Sequence, residues 1–258
     1  MCRLYGQRAP NAAGAAEPLC SSHNALRFQA HAHPHGWGVG WWTGGRPRVV
    51  RGVLPAHRDQ AFCDASHAAR SRVILAHVRD ASVGRIREEN THPFACGHWL
   101  FAHNGTVARY RRSARVRAAI EAEIEPGLRR RLRGDTDSER LFLVFLSRLP
   151  RGARRGPATL EQVRRALAET TAAVARIADP GAPRPSTLNL LVSDGSVLAA
   201  ARRGRTLHWM LEPGAGGRFV VASEPIGRGD WHEVPEGGFV GVDEGMRPVT
   251  GALHERAA

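Results

Sequence analysis

Residues 99–105, Trp-Leu-Phe-Ala-His-Asn-Gly, read as a buried strand from Trp99 to His103 that ends on an Asn104-Gly105 turn signal. Upstream, Val73, Ile74, Leu75 and Val78 predict a second buried strand, followed directly by Arg79, Asp80 and Ser82. Both strands thus end in polar side chains able to do chemistry. Earlier still, Arg3 to Gln7, Gly36 to Trp42 and Arg48 to Leu54 read as strands, the middle one glycine-rich as if backbone passes close to something, and His57 to Arg70 suits a helix. Downstream, Thr136 with Glu139 has capping-box spacing and predicts a helix with Asp137 in its first turn. Thr159 with Gln162 repeats the signal before a helix that carries Leu160, Val163, Leu167, Val174 and Ile177 on one face and stops at Pro180. Beyond the proline-rich connector, Leu188 to Val192, Val197 to Ala201, Thr206 to Leu211, Arg218 to Ala222 and Gly238 to Val242 predict an antiparallel meander. That half alone would be a sheet without enough helical cover. The expectation is therefore one domain over 2–258, with an arginine-dense surface excursion at 106–134.

Length and composition bound the possibilities. A chain of 258 residues, 42% apolar and 24% charged, is globular in composition and long enough for a large core. The longest strongly apolar run, Leu141 to Leu146, is far short of the ~20 residues that a membrane-spanning helix needs. No continuous apolar segment follows the N-terminus, and Cys2, Cys20, Cys63 and Cys96 form no paired motif, so a reducing cytoplasm is expected and no metal or other cofactor is implied. The 37 basic residues against 24 acidic ones give a net charge of +13. Every basic residue is Arg, in a chain rich in Ala and Gly, which reads as compositional bias more than as a phosphate-binding surface. A basic nucleic-acid-associated protein, motivated by Arg111 and the run Arg129 to Arg133, is the alternative from another class.

Cys2 is the residue on which an enzymatic reading turns. It follows the initiator methionine, and removal of Met1 would place a thiol and a free α-amine on one residue. With an amine pKa of about 7.7 to 8.0 and a thiol near about 8.5, the amine can take the thiol proton at neutral pH. Attack on an amide carbonyl also needs two donors aimed at the developing oxyanion, which the Asn104 side-chain amide and the Gly105 backbone N–H can supply. An amino-acid substrate needs a cation for its carboxylate and an anion for its ammonium, and Arg79 and Asp137 are complementary candidates. The alternating His31, His33 and His35 invite a metal reading, but Pro34 interrupts the pattern and a loop rim is expected.

The motifs Met1-Cys2-Arg3-Leu4, Ala76-His77-Val78-Arg79-Asp80-Ala81-Ser82, Glu89-Asn90-Thr91-His92-Pro93-Phe94, Ala102-His103-Asn104-Gly105 and Asp135-Thr136-Asp137-Ser138-Glu139 resemble, in order and spacing, those of class II glutamine amidotransferases. Ala222-Ser223-Glu224-Pro225-Ile226 with Trp231 resembles the small stand-alone bacterial branch that includes the ergothioneine-pathway γ-glutamyl amidohydrolase. The resemblance implies an α+β N-terminal-nucleophile hydrolase fold, a four-layer αββα sandwich with two antiparallel sheets. It also implies that Cys2 forms a γ-glutamyl thioester, that Asn104 and Gly105 form the oxyanion hole, that Arg79 assisted by Ser82 holds the substrate carboxylate, and that Asp137 holds its ammonium. Glutamine or a γ-glutamyl amide is the expected substrate, and delivery of ammonia to an acceptor would need a separate synthase protein. The family often carries an acidic residue before Gly-Trp-Gly, where this chain has His35.

Overall fold

The computed structural model describes residues 2–214 and 216–254. Their strands are β1 (Arg3–Gly14), β2 (Trp37–Thr43), β3 (Arg46–Gly52), β4 (Arg70–Val78), β5 (Phe94–Cys96), β6 (Trp99–Thr106), β7 (Thr187–Ser193), β8 (Leu198–Ala201), β9 (His208–Leu211), β10 (Phe219–Ala222), β11 (His232–Glu233), β12 (Gly238–Val242) and β13 (Val249–Ala252). They form two antiparallel sheets, ordered β11-β9-β10-β1-β4-β2-β3 and β13-β12-β8-β7-β6-β5. Between them the chain forms α1 (Leu26–Gln29), α2 (Gln60–Ala68), α3 (Ala114–Ala122), α4 (Pro126–Arg129), α5 (Asp137–Arg148), α6 (Arg151–Arg155) and α7 (Leu160–Ala178).

Strand alternation sorts the core into three layers. Leu4, Val73 and Leu75 of the first sheet meet Leu100, Ala102, Leu191, Leu198 and Val240 of the second. Their sequence neighbours point outward. Tyr5, Ile74, Ala76 and Val78 pack with Phe62 of α2, while Trp99, Phe101, Leu190 and Val192 pack on Phe142 and Phe145 of α5 and on Val163 and Val174 of α7. The result is helix, sheet, sheet, helix, the α+β sandwich expected from the motifs.

The glycine-rich strand β2 shows why its composition is needed. Trp37, Val39 and Trp41 fill the outer layer, and Gly38 and Gly40 face the other sheet. A Cβ on Gly38 would lie 2.1 Å from the His92 carbonyl oxygen, and one on Gly40 would lie 2.7 Å from Leu100. Bare backbone lets the second sheet close on the first.

Two local expectations change. Asn104 and Gly105 do not turn the chain: they continue β6, opposite Asn189 and Leu188 of β7. The C-terminal strands do not form one meander, because β7, β8 and β12 join one sheet and β9 and β10 the other. The three histidines share no strand: His31 stacks on His57 at 3.9 Å in a short 3-10 turn, and His33 is buried. Within 106–134, Val116 and Ile120 of α3 are buried in the outer core. Among the described residues no helix is long and apolar enough to cross a membrane.

A buried histidine cluster backs the inter-sheet layer. His77 lies 4.1 Å from His92, ring to ring, and its Nε2–H donates to the His103 carbonyl at 3.3 Å. Burial holds His77 down to about 3 and lowers His92 and His103 too. Because burial disfavours the charged form of each ring, the unfolded chain binds more protons once pH falls below about 6.5, and His77 by itself makes stability fall by up to about 1.4 kcal/mol per pH unit below that point. The melting temperature should therefore drop between pH 7 and pH 5, above the carboxylate range, and His77→Asn should flatten that slope. A melting temperature constant over this interval, or an unchanged slope in the variant, would contradict the assignment.

Candidate active site

Cys2 precedes β1 and shares the inward parity of Leu4; Asn104 shares that of Leu100 and Ala102. Strand alternation alone therefore points the sulfur and the amide into the same end of the inter-sheet layer. A cleft with about 250 Å³ of unfilled space opens there, lined by Cys2, Asp80, Ser82, Asn104, Gly105, Thr106 and Arg205. Four of the six site residues expected from sequence line this one cleft.

The sulfur is held by backbone. Asp80 N–H donates to Cys2 Sγ at 3.3 Å, and the Cys2 thiol lies 3.6 Å from the Asp80 carbonyl. Burial pushes the Cys2 thiol above its usual range, opposed by the Asp80 N–H and by the Arg79 charge. A thiol so placed needs a base beside it. Met1, whose removal would supply that base, lies outside the described residues.

Asn104 is fixed by Ser223, just beyond β10. The Ser223 hydroxyl oxygen accepts from Leu4 N–H at 2.9 Å and from Asn104 Nδ2 at 3.2 Å, and Ser223 N–H donates to the Leu4 carbonyl at 3.1 Å. An amide NH₂ has two hydrogens, so one remains for a ligand. Gly105 cannot be larger, because a Cβ there would lie 1.9 Å from the Thr187 carbonyl oxygen and 2.6 Å from His103 Nε2. His103 Nε2–H donates to that carbonyl at 3.0 Å, and its Nδ1 accepts from the Ser138 hydroxyl at 2.9 Å.

Arg79 and Asp137 are buried, at 2% and 3% exposure, and are not among the residues that line this cleft. Arg79 Nη1 donates to the Arg85 carbonyl at 3.0 Å, and Nη2 to those of Val83 and Gly84 at 2.9 and 3.4 Å. Of its five N–H groups, Nε and one on Nη1 remain. Asp137 opens α5, capped by the Thr136 hydroxyl at Glu139 N–H, and accepts from Val107 N–H at 2.8 Å and Ser138 N–H at 2.9 Å. Ser82 Oγ lies 3.0 Å from Thr106 Oγ1. His35 Nδ1 accepts from Ala81 N–H at 3.1 Å and sits 3.1 Å from the Asp80 carboxylate, so it braces the loop that carries Asp80 to Ser82.

Sequence reading missed Ser223 as the brace of Asn104, the Asp80 N–H, and Arg205. The last sits in a loop whose carbonyls, at Arg205 and Thr206, accept from Asn189 Nδ2 at 3.1 and 3.0 Å. The pairing of Asn189 with Asn104 across β6 and β7 was the usable signal, and it exists only once the strands are paired.

A family model described as glutamine amidotransferases class-II matches residues 1–214. A gamma-glutamyl-hercynylcysteine sulfoxide hydrolase of Mycobacterium tuberculosis is 36% identical over 225 residues, 85% of this chain and 81% of that protein. A putative glutamine amidotransferase of Escherichia coli, YafJ, is 28% identical over 81% of this chain and 76% of its own. Among solved structures, a glutamine aminotransferase class-II domain protein from Silicibacter pomeroyi matches with a TM-score of 0.69 at 24% identity, covering 98% of this chain and all of that one. The glutamine PRPP amidotransferase of Bacillus subtilis matches with a TM-score of 0.63 at 16% identity, over 99% of this chain and 50% of its own. The last two are likenesses of fold.

Two substitutions test the bracing. Ser223→Ala leaves Leu4 N–H and the Asn104 amide without their shared acceptor and should destabilise by about 1–3 kcal/mol in urea unfolding. Gly105→Ala should cost about 3 kcal/mol through its collision with Thr187. Losses below about 0.5 kcal/mol, the range of neutral surface changes, would show that these contacts do not hold the site.

Proposed function

The chain belongs to the class-II glutamine amidotransferase family, and on that footing we propose that it is a thiol-dependent hydrolase of γ-glutamyl amides. The observation that supports this most is the shared cleft: one sulfur, one side-chain amide and one glycine backbone facing the same space of about 250 Å³.

In the proposed cycle, the α-amine of residue 2, freed when Met1 is removed, takes the thiol proton. The thiolate attacks the γ-carbonyl, and the oxyanion accepts from the spare Asn104 Nδ2–H and from Gly105 N–H. Collapse breaks the C–N bond; the amine leaves with the proton from the ammonium, and a γ-glutamyl thioester remains on Cys2. Water then attacks the thioester, the α-amine accepts its proton, and glutamate and the free thiol are released. Asp137 holds the substrate ammonium. Ser82 and the two remaining N–H groups of Arg79 hold its carboxylate, while the other Arg79 donors tie down the loop of Val83 to Arg85. With strands from both halves of the chain in each sheet, we read 2–258 as one domain with 106–134 as its excursion.

The hydrolysis of a conjugate is favoured over ammonia supply by the likeness to the mycobacterial relative, whose name describes such a reaction and which is 36% identical over 85% of this chain. Delivery of ammonia from glutamine to a partner synthase would use the same acylation step. Four free cysteines accord with a reducing cytoplasm.

Turnover of a γ-glutamyl amide should vanish in Cys2→Ala and in protein that retains Met1, and kcat/KM should rise with pH as the amine deprotonates. Asn104→Ala should lower kcat by about a hundredfold or more with a smaller change in KM. Asp137→Asn should chiefly raise KM. Full turnover by a chain carrying Met1, verified by mass, would overturn the mechanism.

A further inference from the structure

The nucleophile's cleft does not end at Arg205. It shares Ser82, Thr106 and Arg205 with a wider cleft whose interior volume is about 430 Å³. Ligand sites usually span about 300–1000 Å³, so the wider cleft alone has room for a substrate group beyond the glutamyl half. Buried Val107 and Tyr110 form part of the wider wall, and Arg111, Arg112, Arg184 and Arg205 border it. No aspartate or glutamate lines it.

Unbalanced charge sets this place apart. Elsewhere arginines meet carboxylates: Arg140 with Glu121 at 2.9 Å, Arg203 with Asp179 at 2.6 Å, and Arg218 with Glu212 at 2.5 Å. A third cleft holds Arg51, Arg131 and Arg133 but also Glu88, Glu89 and Glu139. Among the described residues, none of Arg111, Arg112, Arg184 and Arg205 has a carboxylate partner. At the junction, Arg205 Nε is buried with no hydrogen-bond partner among the described residues, while its backbone is pinned by Asn189. Its backbone is preorganised and its guanidinium is uncommitted.

We propose that this arginine-bordered cleft binds the amine half of the substrate, and that the preferred substrates are γ-glutamyl amides whose amine half carries acidic groups. This rests on the γ-glutamyl reading above and adds the identity of the leaving group. Arg205 meets the acid nearest the scissile bond, and Arg112 and Arg184 meet a more distant one, with Tyr110 and Val107 against the intervening carbons. The arginines surround a concavity that opens onto the sulfur, which suits a small polyanion better than a polynucleotide strand.

The test uses γ-glutamyl-glutamate, γ-glutamyl-glutamine, γ-glutamyl-lysine and γ-glutamyl methylamide. Calorimetric Kd values on the Cys2→Ala protein, where no turnover occurs, should weaken by about tenfold or more from the glutamate to the lysine conjugate. Arg112→Gln with Arg184→Gln in that background should shrink the spread to about threefold and leave methylamide binding unchanged. Equal affinities, or a spread that survives both substitutions, would overturn the proposal. So would a short single-stranded oligonucleotide that displaces γ-glutamyl-glutamate at concentrations below the Kd of that conjugate. Hydrolysis by the wild type reports on the γ-glutamyl reading separately. Hydrolysis of all four with charge-blind binding sinks only the cleft assignment; charge-ordered binding with hydrolysis of none sinks the catalytic reading and leaves the cleft assigned.

Discussion

The Ser223 hydroxyl accepts from Leu4 N–H at 2.9 Å and from Asn104 Nδ2 at 3.2 Å, and these two bonds join the sheets where the chemistry is proposed. Leu4 belongs to the sheet that begins two residues from the chain start, and Asn104 to the facing sheet. A buried hydroxyl that bridges two donors is costly to lose, since each would be left unsatisfied away from water. The bridge thus fixes the distance between a sulfur borne by one sheet and an amide borne by the other. The surrounding residues permit it: a Cβ on Gly6 would lie 2.9 Å from Leu191, too close to fit without a shift, and Ala102 and Ala200 keep the inter-sheet layer thin.

The two-sheet sandwich was legible through the resemblance of the motifs, while the unbroken apolar runs at 73–76 and 99–102 by themselves showed only strands buried on both faces. Val73 and Leu75 against Ile74 and Ala76, and Leu100 and Ala102 against Trp99 and Phe101, each divide between two cores as their parity requires. The 19-residue helix α7 was legible from its caps, since Thr159 and Gln162 form a reciprocal box. Sheet assignment of the C-terminal strands was not, because spacing along the chain cannot say whether β9 returns to the sheet of β8 or crosses to the other. The Asn104-Gly105 pair misled for a physical reason: the dipeptide that favours a tight turn also suits a strand position where a neighbouring carbonyl, here that of Thr187, needs the space of an absent Cβ. Of the site, the residues with distinctive chemistry were visible in sequence. Those that act through placement, Ser223, Asn189 and the Asp80 N–H, carry no signal before the sheets are assembled.

The charge of +13 also resolves into parts once placed in space. Much of the arginine content is structural: Arg109 donates to the Ala178 and Ile177 carbonyls at the end of α7, and Arg117 donates to the Tyr110 and Arg111 carbonyls at 3.0 and 3.3 Å. Such arginines offer little to a polyanion. What remains unpaired gathers in part at the opening beside the sulfur, so the excess charge bears on substrate choice. It does not by itself imply nucleic acid.

The central claim, that the sulfur at residue 2 and the amide across the sheets act on one carbonyl, is tested most directly by rapid-quench peptide mapping of the protein mixed with a γ-glutamyl substrate. The account predicts a glutamyl mass on the peptide that begins at Cys2, present within the first turnover and absent when hydroxylamine precedes digestion. Its appearance on Cys20, Cys63 or Cys96, or turnover with no acyl group on any cysteine, would contradict the account.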